Sequence, residues 1–546
     1  MIYINNKISL LRWIIIFSGL FILMQGCIKE EFSSSELDAS LDLESGLAIP
    51  IGFSHLSLED YLSDSLPMKE LIIDADGFMR IFYSSTVDSG IFGDLLTVED
   101  VSAGNEIINK TGSSILLTLP GSSLIISDSV EIPVTSTQSD ARIDSIRLLE
   151  GLADLNVTSQ NLSGSITFSI PGLKNGGVPF SVSRNLANPD FSIDLSEYTL
   201  IPGHDASGGN NLKILITIYV QNPSGPIDPG SPVISLQTGL TGLNYSTIYG
   251  NFTGYSIDLQ SESIATPFFR NLSGGSIVFT HPEIRLYFEN SAGVPLGIWF
   301  RGINAIREGV VYSLTGPGVP TESEHRIIAY PTLIQEGNVV TDIIILNDGN
   351  TNLPGLIASN PDSVIIEASS EVEDMGPAFT GFIRSDSHYK LSAEVELPLW
   401  GKADIIILAD TLDFDYLSSA IPAPEEIERL IVRTSITNSF PVEAVPQIYL
   451  LDENRVLIDS LFTGKERIEG AGDRNGDGRA DPQKQDPIDI DLPDTRIDNL
   501  YDARYIIIKA RLLTTAYPSE DVKLYSTYFL DCNIGLIAQL KVRTGK

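Results

Sequence analysis

From Val522 to Val542 the chain alternates. Val522, Leu524, Tyr528, Leu530, Cys532, Ile534, Leu536, Ala538, Leu540 and Val542 fall on even positions, and Lys523, Thr527, Asp531, Asn533, Gln539 and Lys541 on odd ones. A period of two is the signature of a strand with one face in a core and one in water. The run exceeds an ordinary strand of about 5–6 residues, which predicts a hairpin or bend near "DCNIG". Cys532 lies on the apolar phase and reads as a core thiol, not a nucleophile.

Similar runs recur along the chain. "SILLTLP", "GSITFSIPGL", "NLKILITIYVQN", "DIIILND", "HYKLSAEVELPLWGKADIIILADTL", "PQIYLLDENRVLIDSLF" and "ARYIIIKARLLTT" are short stretches of β-formers bounded by Gly, Pro, Asn or Asp. The 45 glycines and 30 prolines supply turns between them. Helical signals are few. "LSLEDYLS" (Leu56 to Ser63) starts with Ser57 and has Asp60 three residues on, a capping-box-like opening. "PEEIERLI" (Pro424 to Ile431) puts prolines before, and acids within, a first turn. The predicted fold class is all-β: multi-domain β-sandwiches, largely antiparallel, with one or two short helices.

Three stretches look related: "ITIYVQNPSGPI" (216–227), "IRLYFENSAGVPLGI" (284–298) and "IVRTSITNSFPVEAV" (431–445). Each runs a strand into Asn, small turn residues and a proline, then resumes apolar. Asn in a tight-turn conformation and a proline-locked exit would serve a structural repeat, or three unrelated strand-turn-strand units. The pattern resembles the β-sandwich of late-embryogenesis-abundant and water-stress proteins of plants. "LAIPIGFSHLSLEDYL", "IYLLDENRVLIDSLF" and the terminal strands resemble large surface lipoproteins of Bacteroidetes, a family that implies location and fold but brings no activity. The expected domains are a β-domain over 46–205, a β-sandwich over 206–372 and another over 373–546.

The amino-terminal segment decides location. Lys7 and Arg12 are its only charges, and "WIIIFSGLFILM" (Trp13 to Met24) leads to Gly26 and Cys27. Basic end, short apolar middle and small residue before the cut make an export signal, expected over 1–26. Twelve apolar-type positions fall short of the about 20 that span a bilayer. Gly26-Cys27 resembles the lipobox of bacterial lipoproteins, which implies acylation of Cys27, with palmitate among the chains, and an outer-membrane anchor. Several chains on one residue give stable anchoring, at about 0.8 kcal/mol per buried methylene. Leu23 and Gln25 depart from the usual pattern around the cut. Lys29, Glu30 and Glu31 resemble the signal that sends such lipoproteins to the cell surface; the plain reading is a charged leader. Residues 27–45, acidic and serine-rich, read as a flexible tether.

The chain carries 35 basic and 71 acidic residues, a formal net charge of −36, and loses Lys7 and Arg12 with the leader. Such a surface repels phosphate backbones, so no nucleic-acid partner is expected. With Cys27 lipidated, Cys532 has no partner for an intrachain disulfide.

"DRNGDGRAD" (473–481) carries the one motif with specific ligand chemistry. Asp473, Asn475, Asp477, the Arg479 carbonyl and Asp481 occupy positions 1, 3, 5, 7 and 9 of a calcium loop, with Gly478 at the sharp turn. The loop resembles those of EF-hands, dockerins and type-3 thrombospondin repeats. It departs at position 12, where Lys484 replaces the bidentate acid; Asp486 or Asp489 would have to complete the shell. Structural Ca2+ of weak, extracellular-type affinity is expected, against a bare polar insert.

Enzyme motifs are missing from the sequence. His55, His204, His281, His325 and His388 are scattered without HxxxH spacing, and neither GxSxG nor GxxxxGK[ST] occurs. A hydrolase built on an unrecognised carboxylate pair stays open as an alternative. Trp299 and Trp400 would serve a glycan-capture lipoprotein of a nutrient-uptake system, yet both sit among apolar neighbours where core burial is commoner. Asp-Ser or Asp-Thr before an aliphatic residue occurs at Ser65, Ser129, Ser145, Ser363, Thr411 and Ser460, resembling the O-glycosylation signal of the same lineage, or marking plain strand ends. The reading is a lipid-anchored surface lipoprotein, a binding or structural module without catalysis, whose partner is an envelope protein or a glycan.

Overall fold

The computed structural model describes residues 46–65, 70–108, 123–136, 141–159, 162–205, 209–221, 234–271, 277–403, 406–414, 423–514 and 521–540. Cys27, Lys29, Glu30 and Glu31, with the segments expected to be an export signal (1–26) and a tether (27–45), lie outside these residues. The described chain is all-β, and every strand pair is antiparallel.

Twenty-four of the strands form three sandwiches with one common plan. In sandwich I one sheet runs Val101–Ile108, Ile234–Asn251, Arg142–Ser159, Phe191–Asp194. Its second layer, continuous with the first through Thr199–Leu200, which pairs with both, runs Ser123–Pro133, Asn210–Gln221, Ser163–Asn175, Val178–Asn185. Sandwich II has Met79–Ile91, His388–Pro398, Glu283–Asn290, Val340–Leu346 in one sheet. Its other sheet is Glu262–Ala265, Ser363–Val372, Leu296–Arg307, Val310–Ser313. Sandwich III repeats the order with Gly46–Ser57, Phe529–Leu540, Ile427–Asn438, Ile488–Leu492. Ile406–Asp413, Tyr505–Leu513, Glu443–Leu451 and Leu457–Ser460 complete it.

Alternation drives the packing. Asn210–Gln221 buries every second side chain, and Ile214, Ile216, Ile218 and Val220 are lost to solvent. Each such side chain contributes about 1.5–3 kcal/mol of transfer free energy. Cys532 is buried on that phase in sandwich III, and burial, with Asp531 beside it, pushes its thiol up to about 12.

The three plans are nested. The opening strands come in the order III, II, I (46–57, 79–91, 101–108), and the remaining strands are completed in the order I, II, III. Pairing therefore runs across the joints expected at 205 and 372. The first cuts sandwich I before Asn210–Gln221, and the second cuts sandwich II before His388–Pro398. Composition reveals a strand but not its distant partner, which is why the consecutive division misplaces them.

Local expectations meet mixed fates. A helix spans Leu58–Ser65, and Ser57 Oγ accepts a hydrogen bond from Asp60 N at 3.0 Å as its opening implies. Pro424–Glu426 makes only a single 3-10 turn, and the expected helix is instead the strand Ile427–Asn438. Ladders on both sides, to Phe529–Leu540 and Ile488–Leu492, override the local signal. No bend falls at Asp531–Gly535. One strand runs through it, and the break lies at Ser526–Thr527.

Two of the three related stretches occupy equivalent places, crossing from one sheet to the other in II and III. Their asparagines do not adopt positive φ. Each works through its side chain: Asn290 Oδ1 accepts from Ala292 N and Asn438 Oδ1 from Phe440 N, both at 2.9 Å. Residues 216–221 instead end a strand of sandwich I, and the turn after them lies outside the described residues.

Neighbouring sandwiches join by strand addition. Gly381–Arg384 pairs with Thr247–Gly250 between I and II, and Val522–Lys523 pairs with Trp400–Gly401 between II and III. Glu336 of II reinforces the first junction by accepting from Tyr249 OH at 2.7 Å and Thr247 Oγ1 at 3.0 Å. On II itself, Glu396 accepts from Arg80 at 2.7 Å and Arg285 at 2.5 Å. Burial pushes the Glu396 carboxyl up, but these two guanidinium bonds outweigh it and hold it below the usual range.

Stability from Glu396 is thus present above the unfolded carboxylate value, about 4.3, and lost as pH falls through the lower folded value. Glu396→Gln is expected to cost about 1–3 kcal/mol at pH 7, with the gap to wild type closing in acid; denaturant melts at both pH values check it. Removing residues 1–57 should weaken sandwich III and leave I intact. Limited proteolysis is expected to retain Val101–Asn251, and equal loss of all three sandwiches would count against nesting.

Candidate functional site

The calcium-like loop belongs to sandwich III and sits at the II–III junction. Gly476 (φ +81) and Gly478 (φ +84) take left-handed conformations that favour glycine. They let the loop turn back, so that the Asp473 carboxylate accepts Gly476 N at 2.6 Å and Gly478 N at 2.9 Å. Those bonds, Gly478 first, hold the Asp473 carboxyl below the usual range. Asn475 Oδ1 accepts from Asp477 N, and Asp477 Oδ1 from Arg479 N, both at 2.9 Å. The Asp481 carboxylate accepts Arg474 N at 2.8 Å and Asn475 Nδ2 at 3.1 Å.

The donor set is oxygen-rich, which suits a hard cation. Its carboxylates are spread. Among the described residues the group of His, Cys, Asp or Glu whose ligand atoms lie within 4.8 Å of one another is instead His325, Glu371 and Glu373. Loading the loop would require Asp473, Asp477 and Asp481 to draw closer together, and a carboxylate can accept a backbone N–H while it binds a cation.

The loop also clasps the neighbouring sandwich. Arg479 lies over the Tyr525 ring at 4.6 Å and donates to the carbonyl of Asp76, in the turn before Met79–Ile91. Ala480 N donates to Tyr528 OH at 3.0 Å. Between loop and sandwich opens a cleft of about 530 Å³, whose walls include Trp400, Asp473, Asp477, Asp521, Lys523 and Tyr525. Lys523 Nζ stands 4.4 Å over the Trp400 ring, and His281 meets that ring edge-on at 5.2 Å. A hydroxyl-rich ligand would find both an aromatic wall and charged acceptors and donors here.

Neither Trp299 nor Trp400 enters a core, contrary to expectation; both are half-buried. Trp299 takes the outward phase between the buried Ile298 and Phe300, and its ring stacks on His325 at 4.3 Å. The histidines are dispersed and locally tied. His55 meets Asp531 at 2.6 Å, His281 meets Asp348 at 2.8 Å, and His204 lies 3.9 Å from Asp144. Ser291 and His388 approach each other, but the hydroxyl accepts from His388 N at 2.7 Å and donates to His388 O at 3.2 Å. Those bonds tie a strand end.

Of the hydroxyls in the glycosylation-like triplets, Ser129 and Thr411 are exposed, while Ser145, Ser363 and Ser460 are half-buried. Ser65 ends the helix Leu58–Ser65. Four of the preceding acids bond outside their triplets, Asp144 with Arg142, Asp362 with Arg307, Asp410 with Ser54 and Asp459 with Arg496, while Asp128 accepts from Ser129 N at 2.9 Å. No helix among the described residues is long and apolar enough to cross a membrane.

No protein-family model and no curated protein matches the chain. Among solved structures it is similar to an inferred secreted protein of Parabacteroides distasonis, at 12% identity over 90% of this chain and 99% of that one, with a TM-score of 0.30. It is similar also to the structure of infectious bursal disease virus strain Gt (10% identity, 84% and 83% covered, TM-score 0.15). The VP2 subviral particle of that virus matches at 10% identity, 88% and 86% covered, with a TM-score of 0.15. At these values the likenesses carry no argument about fold or function.

Proposed function

We propose that the protein is an outer-membrane lipoprotein, anchored through Cys27 and facing the cell exterior, that acts as a binding or structural module without catalysis. Nested pairing is the observation that carries this reading. The strand following the tether, Gly46–Ser57, and the last described strand, Phe529–Leu540, lie side by side in sandwich III. Sandwich III is then the root at the membrane, II stands on III, and I is the outermost part.

The anchoring test is direct. Cys27→Ser is expected to abolish palmitate labelling and release the chain from the membrane fraction, and replacement of Lys29, Glu30 and Glu31 by alanine to remove it from surface proteolysis. Unchanged labelling in Cys27→Ser would sink the reading.

A second reading, glycan capture, is favoured by the junction cleft, where Trp400 and Tyr525 stand beside Asp473, Asp477 and Asp521. In it, structural Ca2+ in the 473–481 loop stiffens one wall. Binding to N and not to U stabilises by mass action, so millimolar Ca2+ should raise Tm in wild type but not in Asp473→Asn/Asp481→Asn. On a glycan array run with Ca2+ and with chelator, the expected hits weaken in Trp400→Ala; an array without hits leaves the structural role as the surviving reading.

A further inference from the structure

We propose that His325, Glu371 and Glu373 form a binding site for a divalent transition-metal ion on the outer face of sandwich II. No sequence motif announces it, because the ligands come together only through strand register. Glu371 ends the body of Ser363–Val372 opposite Gly297, and Glu373 follows two residues later on the same side. His325 immediately precedes Arg326–Ile327, which pairs with Gly297–Ile298. Three segments, 297–299, 325–327 and 371–373, therefore meet at one spot.

The geometry converges on a single imidazole nitrogen. His325 Nδ1 lies 2.5 Å from Glu373 Oε1 and 3.9 Å from Glu371 Oε1. Zinc bonds of about 2.0–2.2 Å to nitrogen and oxygen would set ligand atoms roughly 3–3.5 Å apart, between the two separations seen. Reaching that spacing needs side-chain shifts below one ångström or so.

Two features argue that the cluster is built. A Cβ on residue 297 would fall 1.8 Å from Glu373 Oε1, so glycine there leaves the space the carboxylate fills. Trp299 stacks on the imidazole with an interplanar angle of 11°, holding the plane of the ring whose Nδ1 faces the acids. Charge points the same way. Neither glutamate forms an ion pair with a lysine or arginine among the described residues; each pairs only with His325. Two carboxylates aimed at one nitrogen call for a cation between them.

One imidazole and two carboxylates are a borderline nitrogen and oxygen set, suited to Zn2+ and its first-row neighbours. Three protein ligands leave a tetrahedral position open, and Glu371 is the most accessible of the three. Water, or an oxygen of a bound partner, would complete it.

The test uses the full-length protein in detergent, with Zn2+ as the probe and a chromogenic chelator as competitor. One equivalent is expected in wild type and equally in Asp473→Asn/Asp481→Asn. His325→Gln, Glu373→Gln and the half-exposed Glu371→Gln should each weaken it at least tenfold, with circular dichroism confirming the fold. Cu2+ should quench emission in wild type and much less in Trp299→Phe, which keeps its zinc. Failure of wild type to hold zinc would mean that a proton alone sits between the acids, and would overturn the site. Zinc lost in the loop variant but kept in His325→Gln would assign the ion to the loop and overturn the site as well.

Discussion

The ladder between Gly46–Ser57 and Phe529–Leu540 closes the chain on itself, and the order of everything between follows from it. Loop-closure entropy grows only with the logarithm of length, so joining ends several hundred residues apart costs a few kcal/mol more than a short hairpin. Backbone hydrogen bonds and the burial of Ile51 and Leu56 with Leu530 and Ile534 offset it. Once those two strands are partners, sandwich II must form inside their span and sandwich I inside that of II. Crossing connections are thereby avoided.

Strands are legible in the sequence because burial on one face leaves a period of two, as in Asn210–Gln221 and Phe529–Leu540. Their partners are not. The alternation in Met79–Ile91 holds nothing that names His388–Pro398 as its neighbour, so domain joints drawn by composition cut through sandwiches. Pro424–Ile431 shows the same limit: prolines and acids describe a helix start, and ladders on both sides make a strand. The asparagine turns are a structural repeat in two of three places, but their mechanism is a side-chain acceptor, not a left-handed backbone.

The candidate sites divide in the same way. The 473–481 loop is contiguous, so its oxygens and glycines can be read directly, whereas its placement against Tyr525 and Asp76 depends on how II meets III. Glu371 and Glu373 share a strand face through their spacing of two, but nothing local names His325 as their neighbour. The apolar neighbours of Trp299 and Trp400 point to core burial, yet phase within the strand turns the rings outward. Three of the 35 basic residues, Arg479, Lys523 and Arg142, sit where one sandwich meets the next.

Nested pairing behaves like brackets in a written expression, in which the innermost pair closes first. As the chain emerges from its amino-terminal end onward, sandwich I can be completed once Ile234–Asn251 is out, while the opening strands of II and III still wait. Gly46–Ser57 stays without its ladder until Phe529–Leu540 arrives, an unpaired edge held open through nearly the whole of that process. Vectorial assembly would then proceed from sandwich I through II to III, and the segment most in need of protection would be the one that emerges first among the described strands.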